Sequence, residues 1–320
     1  MVTFLDVVKA RNNIFPYVKP TPLEHSLRLS QMLGCDVYLK LENFRELRSF
    51  KVRGATNFIV SRLPECQAHG VVAASGGSHA LGVAYAARAN GIPATIVMTE
   101  RAPKNLQHIV ASYGATVEVS GQVYDDASRR AKDISAQTGA LLIDSFNDPY
   151  IIAGQGTIAL EIMENLPDVN AVICPVGGGG LLAGVSLAIK STTPGCKIFG
   201  VEPETANAMY RSFEAGHLVE VENPHSIADK LVTRSTGQLV FDLARIHTDQ
   251  VFCVSDLQIQ EAVFMLLNDA GLLIEGAGAA PLALLNSHQT DLSGKKVVLI
   301  LTGGNIDPAV LKSILQQSGC

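Results

Sequence analysis

Short, mostly apolar segments alternate along this chain with longer segments of helical pattern. The short segments predict strands at residues 71–74, 95–98, 117–119, 141–143, 171–174, 198–201 and 297–301. Helical patterns lie between them, for example at residues 78–90, where Gly91 ends the pattern. Strands that alternate with helices are typical of parallel sheets with crossover helices. The pattern therefore predicts an α/β fold.

Two such series predict two domains, each with a parallel twisted sheet flanked by helices. The first series predicts a small domain at residues 51–147. A large domain is expected at residues 1–50 plus 148–320, because the later strands need the N-terminal segment as well. Residues 211–236 contain Pro224 and no clear periodicity, so we expect a connection with short helical turns there.

Composition and charge narrow the range of functions. The 320 residues are 47% hydrophobic and 17% charged, which is typical of a globular protein rather than a disordered one. The net charge of -5 argues against a nucleic-acid surface, which needs a basic face. No apolar run reaches the length of a membrane span, and the N-terminus lacks the basic region of a secretory signal. We therefore expect a cytoplasmic protein with no nucleic-acid or membrane partner.

Six cysteines are scattered through apolar surroundings, and none forms a C-x-x-C pair. They are Cys35, Cys66, Cys174, Cys196, Cys253 and Cys320. This usage favours reduced core thiols, as in cytosolic proteins, over disulfides.

The sharpest local signal is a run of four glycines between a predicted strand and a predicted helix: Gly177, Gly178, Gly179 and Gly180. Backbone N–H groups at a helix N-terminus bind anions, and glycine allows a ligand to approach the backbone closely. The run predicts a phosphate bound by backbone groups, with a tight turn that binds nothing as the alternative. Two leucines follow the glycines, which excludes the P-loop, and the spacing does not match the dinucleotide fingerprint.

Six motifs resemble, in the same order, those of the fold-type II pyridoxal-phosphate family, the group of threonine dehydratase, serine racemase and the tryptophan synthase β chain. The first is Ser-Phe-Lys-Val-Arg-Gly-Ala at residues 49–55, and residues 21–23 and 39–43 precede it as in that family. The other five lie at residues 74–80, 152–157, 177–180, 275–278 and 301–305. The resemblance covers nearly the whole chain. It implies a tryptophan synthase β-like architecture whose large domain binds pyridoxal phosphate.

The resemblance also assigns roles to single residues. Lys51 is expected to hold the cofactor as a Schiff base and then to remove the α-proton of the substrate. The expected cofactor-binding residues are Phe50, Lys51, Ser78, Gly177, Gly178, Gly179, Gly180, Glu275 and Thr302. The expected substrate-binding residues, which hold the carboxylate of the amino acid, are Ser75, Gly76, Ser78 and His79.

Each role has a structural alternative. Taken alone, Lys51 is most simply a surface lysine, and Phe50 is most simply an ordinary core residue. Ser78 and Thr302 are also suited to capping helices. Glu275 lies in an apolar stretch and could be a buried, paired carboxylate with a structural role.

The chain departs from the family pattern beside these motifs. Ser78 replaces an asparagine that reaches the phenolic oxygen of the cofactor, and Leu81 replaces a frequent glutamine. Arg48 occupies a position that is usually glycine. A guanidinium there could attract a second carboxylate on the substrate, while a solvated surface arginine is the alternative.

Two further departures concern racemisation and metal binding. Serine racemases carry a serine hydroxyl as the second acid/base where this chain has Gly76, so dehydration is favoured over racemisation. Glu202 and Ala206 match the divalent-metal site of the family, but Ala208 stands where an aspartate ligand is expected. Loss of a carboxylate weakens a site for a hard cation.

These observations predict a pyridoxal-phosphate-dependent β-elimination. The substrate is expected to be a hydroxy amino acid such as L-threonine or L-serine, and the products a 2-keto acid and ammonia. An amino-acid racemase of the serine racemase type is the nearest alternative. A non-catalytic amino-acid-binding relative and a nicotinamide-dependent enzyme are the others. The resemblance also implies a homodimer.

Overall fold

The computed structural model describes residues 2–317. Its helices are α1 (Phe4–Ile14), α2 (Leu27–Leu33), α3 (Val52–Ser61), α4 (Leu63–His69), α5 (Ser78–Ala89), α6 (Lys104–Ser112), α7 (Tyr124–Thr138), α8 (Pro149–Asn165), α9 (Gly180–Thr192), α10 (Ala208–Ala215), α11 (Gln238–His247), α12 (Asp256–Ala270), α13 (Gly276–Asn286) and α14 (Pro308–Gln317). Its strands are β1 (Leu23–His25), β2 (Asp36–Leu41), β3 (Val71–Ala74), β4 (Ala94–Met98), β5 (Thr116–Val119), β6 (Leu141–Leu142), β7 (Ala171–Pro175), β8 (Lys197–Pro203), β9 (Gln250–Val254) and β10 (Lys296–Leu301).

The first of two compact units comprises Met1–Lys19 and Lys51–Thr157. It is built on a four-stranded sheet in the order β5-β4-β3-β6, and all the pairs in it are parallel. Its strands are short and rich in β-branched residues, which suits a pleated, buried surface. One small core cluster packs α7 against this sheet through Val72, Val97, Ala127 and Ala131.

The second unit comprises Pro20–Phe50 and Ile158–Cys320. Its six-stranded sheet has the order β1-β2-β10-β7-β8-β9, and only the pair of β1 with β2 is antiparallel. Strand β10 is central, and its residues Val297–Leu301 are fully buried. A strand covered on both faces has no polar side to alternate with, which explains the continuous apolar run in the sequence.

The predicted α/β fold with parallel sheets flanked by helices is confirmed, and each predicted strand corresponds to an observed strand within a few residues. The connection expected at residues 211–236 begins with a regular helix instead, because α10 extends to Ala215. The following Gly216 adopts a left-handed φ of 74° and ends that helix.

The two units divide the chain differently from the domains expected from the sequence. Residues 1–19 lie in the unit of Lys51–Thr157, because α1 packs against α3 there. Asn13 Nδ2 also donates to Asn57 Oδ1 at 3.0 Å. The later boundary falls at Thr157, inside α8, rather than at residue 148. Helix α8 begins at Pro149, because proline is favoured in the first turn of a helix, where its missing N–H costs no hydrogen bond.

The following statements on membrane spans and disulfides apply only to the described residues. Every helix within residues 2–317 is too short or too polar to span a bilayer. Cys35, Cys66, Cys174, Cys196 and Cys253 are all free thiols. Cys320 lies outside the described residues.

Candidate functional site

Lys51 precedes α3 in the first unit, and its amine is held by the backbone. Lys51 Nζ donates to the carbonyl oxygen of Ser145 at 2.8 Å. Burial lowers the pKa of Lys51 to about 8, and the Asp144 carboxylate opposes the shift by favouring the charged amine. The backbone of Lys51 lies so close to α5 that a Cβ on Gly82 would be 3.1 Å from the Lys51 carbonyl carbon. Lys51 is thus a confined amine that loses its proton far more readily than a surface lysine.

The loop that follows β6 supplies the partner of this amine and was not predicted from the sequence. Asp144 Oδ1 accepts hydrogen bonds from the backbone N–H groups of Phe146 and Asn147, each at 2.8 Å. These bonds fix the turn that presents the carbonyl of Ser145 to Lys51. The available signal was the position of an Asp-Ser pair directly after a predicted parallel strand, where functional loops gather.

His79 lies in the same unit, within the first turn of α5. It is only 4% exposed, and its Nε2 lies 3.3 Å from the carbonyl oxygen of Ile143. Burial, together with the nearby Lys51 ammonium, lowers the pKa of His79 to about 4, so the ring is neutral at physiological pH. Because a carbonyl only accepts, Nε2 carries the hydrogen. His79 Nδ1 is then a buried acceptor, and within the described residues it has no hydrogen-bond partner.

The other expected substrate-binding residues surround the start of α5. Gly77 is the N-cap of this helix and offers no side-chain cap, so the alternative role of Ser78 as N-cap is wrong. Ser75 Oγ accepts from Gly77 N–H at 3.2 Å, and Gly76 is exposed. The first N–H groups of a 12-residue helix face this loop without a capping side chain. Such a helix start suits a carboxylate.

The four glycines lie in the second unit, where β7 leads into α9. Gly179 has a left-handed φ of 85° and is the N-cap of α9, again without a side-chain cap. A Cβ at Gly179 would lie 2.6 Å from Val240 Cγ1, and one at Gly177 would lie 3.1 Å from Leu231 Cα. Backbone conformation and close packing therefore both require glycine here. The uncapped helix start fits a phosphate held by backbone N–H groups.

Thr302 follows β10 in the second unit and is only 4% exposed. Its carbonyl oxygen accepts from Phe50 N–H at 3.3 Å, and Ser49 forms a bridge with Gly303. Asn305 Nδ2 donates to the carbonyl of Leu47 at 3.0 Å. These contacts hold the segment at residues 47–50, directly before Lys51, along the expected cofactor motif at 302–305.

A buried polar network anchors the earlier part of the same segment. Lys40 Nζ lies 2.5 Å from Glu161 Oε2 and 2.7 Å from the carbonyl of Thr21. Thr21 Oγ1 donates to Glu42 Oε1 at 2.5 Å, and Arg45 Nε donates to Glu42 Oε2 at 2.8 Å. Because each buried charge has an opposite partner, the network holds residues 40–45 in one conformation.

Glu275 forms an ion pair with Lys230, which agrees with its alternative role as a buried, paired carboxylate. Lys230 Nζ lies 2.6 Å from Glu275 Oε2, and Asn305 N–H donates to the same oxygen at 3.0 Å. Burial raises the pKa of Glu275, while Lys230 opposes that shift. The sequence did not predict a role for Lys230, because it lies in the connection expected at residues 211–236. The pair lies beside the motif at 302–305, since Lys230 Nζ also donates to the carbonyl of Asn305 at 3.1 Å.

Of the residues expected to bind a metal, Glu202 lies in β8 and Ala206 lies just before α10. Glu202 is fully buried, and its two oxygens accept from the N–H groups of Met209 and Tyr210 at 3.0 and 2.7 Å. Burial raises the pKa of Glu202 to about 8. Ala206 and Ala208 have no side-chain ligand, and the described residues contain no cluster of three or more metal-ligating side chains. Glu202 thus accepts from N–H groups at the N-terminus of α10, which supply positive potential.

The residues present fit pyridoxal phosphate. A confined amine of lowered pKa suits the aldehyde, an uncapped helix start with four glycines suits the phosphate, and a buried threonine follows the central strand. Within the first unit the fold brings Lys51 and His79 together, with Ser75, Gly76 and Ser78 at the start of α5. Within the second unit it aligns Phe50 with Thr302 and places Glu275 beside Asn305.

Comparisons with known proteins agree with this fit. The family model for pyridoxal-phosphate dependent enzymes matches residues 14–303. An L-threonine ammonia-lyase of Thermotoga maritima is 43% identical over 317 residues, which cover 99% of this chain and 79% of the relative. An L-threo-3-hydroxyaspartate ammonia-lyase of Saccharomyces cerevisiae is 38% identical over 305 residues, which cover 95% of this chain and 94% of the relative.

A solved structure gives the same result at the level of the fold. Maize serine racemase matches with a TM-score of 0.93 at 33% identity, covering 99% of this chain and 98% of the other. The predicted resemblance, the fold class and the pyridoxal phosphate cofactor are thereby confirmed. This chain belongs to the family of pyridoxal-phosphate dependent enzymes.

Proposed function

We propose that this enzyme is an ammonia-lyase that converts a β-hydroxy amino acid, such as L-threonine or L-serine, to a 2-keto acid and ammonia. The observation that carries the proposal is the confined Lys51 amine, whose pKa is lowered to about 8, in a chain related over its length to ammonia-lyases. The α-carbon loses its proton and the β-carbon its hydroxyl, which releases one water. One water then supplies the oxygen that replaces nitrogen on the α-carbon, and the β-carbon gains a proton. The amino acid thus becomes a 2-keto acid and ammonia with no net gain or loss of electrons.

We propose cofactor-binding roles for the residues predicted from the sequence. Lys51 would bind the aldehyde carbon, the backbone of Gly177–Gly180 would bind the phosphate, and the Thr302 hydroxyl would contact the ring nitrogen. When bound, pyridoxal phosphate supplies a covalent attachment for the amino group and an electron sink for the α-carbon. Phe50 would pack beside the cofactor, and Ser78 would contribute a hydroxyl toward its phenolic oxygen. Glu275 keeps its structural role, because Lys230 already balances its charge.

Lys51 is proposed to move the α-proton. Its lowered pKa leaves part of the Nζ population neutral near pH 7 to 8, so the amine can attack a carbonyl carbon and later accept a proton. The carbonyl of Ser145 orients Nζ and accepts no proton, so it leaves the basicity with the amine. Neutral His79 cannot compete as an acid, because its pKa is about 4.

The start of α5 is proposed to hold the carboxylate of the substrate. Its uncapped N–H groups and the Ser75 and Ser78 hydroxyls are donors, and Gly76 and His79 complete this loop. A racemase is the second candidate, which the similarity to maize serine racemase favours. Gly76 argues against it, because glycine has no hydroxyl to return a proton to the opposite face.

We further propose a cytoplasmic homodimer that acts on a free amino acid, with no nucleic-acid or membrane partner. The family resemblance supports the dimer, and the net charge of -5 supports the lack of a nucleic-acid partner. Sedimentation at micromolar concentration checks the dimer, for which a single species of monomer mass is the contradicting result.

The function is tested by incubating the purified protein, supplemented with pyridoxal phosphate, with L- and D-β-hydroxy amino acids. We expect equal amounts of 2-keto acid and ammonia from the L-isomers and neither product with Lys51→Ala. Inversion at the α-carbon without keto acid indicates the racemase. The absence of both reactions in a protein that has taken up the cofactor rejects the lyase.

A further inference from the structure

Arg48 has a backbone conformation that favours glycine. Its φ is 49°, in the left-handed region, where a Cβ is crowded against the neighbouring carbonyl. The backbone cannot relax out of this region, because Arg48 N–H donates to Arg45 O at 2.8 Å and Arg48 O accepts from Gly304 N–H at 3.1 Å. An arginine here lowers stability relative to glycine, so the local backbone does not account for its presence.

The Arg48 side chain is exposed and available to a ligand. Within residues 2–317, its guanidinium has neither a hydrogen-bond nor an ion-pair partner. Lys230, another cation beside the motif at 302–305, is already paired with Glu275 at 2.6 Å. The two cations beside this motif therefore differ, since one is neutralised and the other is free to meet an incoming anion.

The position of Arg48 is set by the motif proposed to hold the cofactor. Three hydrogen bonds within the second unit join this segment to the motif: Leu47 to Asn305, Arg48 to Gly304, and Phe50 to Thr302. Gly304, the partner of Arg48, is two residues from Thr302, the proposed ring-nitrogen contact. The backbone of Arg48 is therefore held by the motif at 302–305 rather than by a loose surface loop.

We propose that Arg48 recognises a second carboxylate on the substrate, so that the preferred substrates are β-hydroxy dicarboxylic amino acids such as L-threo-3-hydroxyaspartate. This inference rests on the ammonia-lyase function proposed above. The planar fork of arginine binds a carboxylate through two parallel hydrogen bonds, whereas the hydroxymethyl or hydroxyethyl side chain of serine or threonine offers no charge.

The test compares wild type, Arg48→Gly and Arg48→Lys with L-threo-3-hydroxyaspartate and L-serine. Arg48→Gly suits the left-handed backbone, so it should fold at least as well as wild type. We expect its kcat/KM for hydroxyaspartate to fall by about tenfold to a hundredfold, the range for a hydrogen bond to a charged group. The value for L-serine should stay unchanged. Arg48→Lys should fall between the two, because lysine keeps the charge without the fork.

A matched control separates backbone strain from charge. His288 also has a left-handed φ, of 54°, so His288→Gly relieves similar strain without removing a guanidinium. We expect this variant to keep the wild-type ratio of the two kcat/KM values. If His288→Gly changes the ratio as Arg48→Gly does, the effect comes from general stability and the proposal is wrong.

Binding without turnover keeps the inference separate from the proposed reaction. L-aspartate and L-alanine have no β-hydroxyl to lose, so calorimetric titration of the holoenzyme compares their binding without elimination. We expect aspartate to bind more tightly than alanine in wild type, and the difference to disappear in Arg48→Gly. Equal preference in both proteins overturns the role of Arg48, even if serine is dehydrated. Loss of preference without any ammonia release supports Arg48 but rejects the lyase.

Discussion

The lowered pKa of Lys51 makes a quantitative prediction about how fast the enzyme takes up its cofactor. Only the neutral amine attacks an aldehyde, so the rate follows the neutral fraction of Nζ. With a pKa of about 8, about one tenth of Nζ is neutral at pH 7 and about nine tenths at pH 9. The rate should therefore rise about tenfold over this range and level off above pH 9.

An ordinary lysine behaves differently. With the unperturbed pKa of 10.5, about 0.03% of the amine is neutral at pH 7 and about 3% at pH 9. The rate would then rise about a hundredfold and continue to rise to pH 10. The sign of the shift follows from its cause, since burial penalises the ammonium form and so releases the proton at lower pH.

The assay measures incorporation of pyridoxal phosphate into the apoprotein at several pH values, after rapid reduction with borohydride and peptide mass analysis. Lys51→Ala should give no adduct at this peptide. Asp144→Asn removes the charge that favours the ammonium and keeps an acceptor for the turn, so its midpoint should move to lower pH. A tenfold rise per pH unit up to pH 10 would refute the reasoning from burial.

Three further predictions concern other parts of the molecule. A Cβ at Gly76 would lie 3.5 Å from Ala102 Cβ, an ordinary contact, so Gly76→Ser should fold normally and gain α-proton exchange on the opposite face, measured as D-serine formed in deuterated water. Chelators should leave the activity and melting temperature of wild type unchanged, because Glu202 already accepts hydrogen bonds from two backbone N–H groups. Ala208→Asp should melt at a lower temperature unless Mg²⁺ is added. A Cβ at Gly154 would lie 2.6 Å from Gly54 Cα, so Gly154→Ala should lower the free energy of unfolding by about 1–3 kcal/mol in a denaturant titration, and an unchanged value would contradict this packing.

Local sequence was enough to predict the fold class and the positions of several site residues. Apolar run length and glycine stops depend on neighbours along the chain, so the strands at 71–74 and 171–174 could be placed without a structure. Four consecutive glycines before a helix are likewise a local signal, and their anion-binding character follows from backbone chemistry alone. The order of motifs then identified the family and its cofactor, which the comparisons confirmed.

The environment of each site residue depended on contacts between distant parts of the chain. Lys51 Nζ bonds a carbonyl 94 residues away, so no local pattern could have indicated Ser145 or the size of the pKa shift. Glu275 meets Lys230 across 45 residues, and Lys230 lies in a segment without periodicity.

Backbone conformation was equally hidden from the sequence. The left-handed φ of Arg48 and the N-cap at Gly77 are properties of a single conformation, which packing and long-range hydrogen bonds select among several that the residues allow. The chain by itself therefore determined which chemical groups are present and in what order. The tertiary structure decided which of them are desolvated, paired or left free, because burial and pairing arise only when the whole chain has folded.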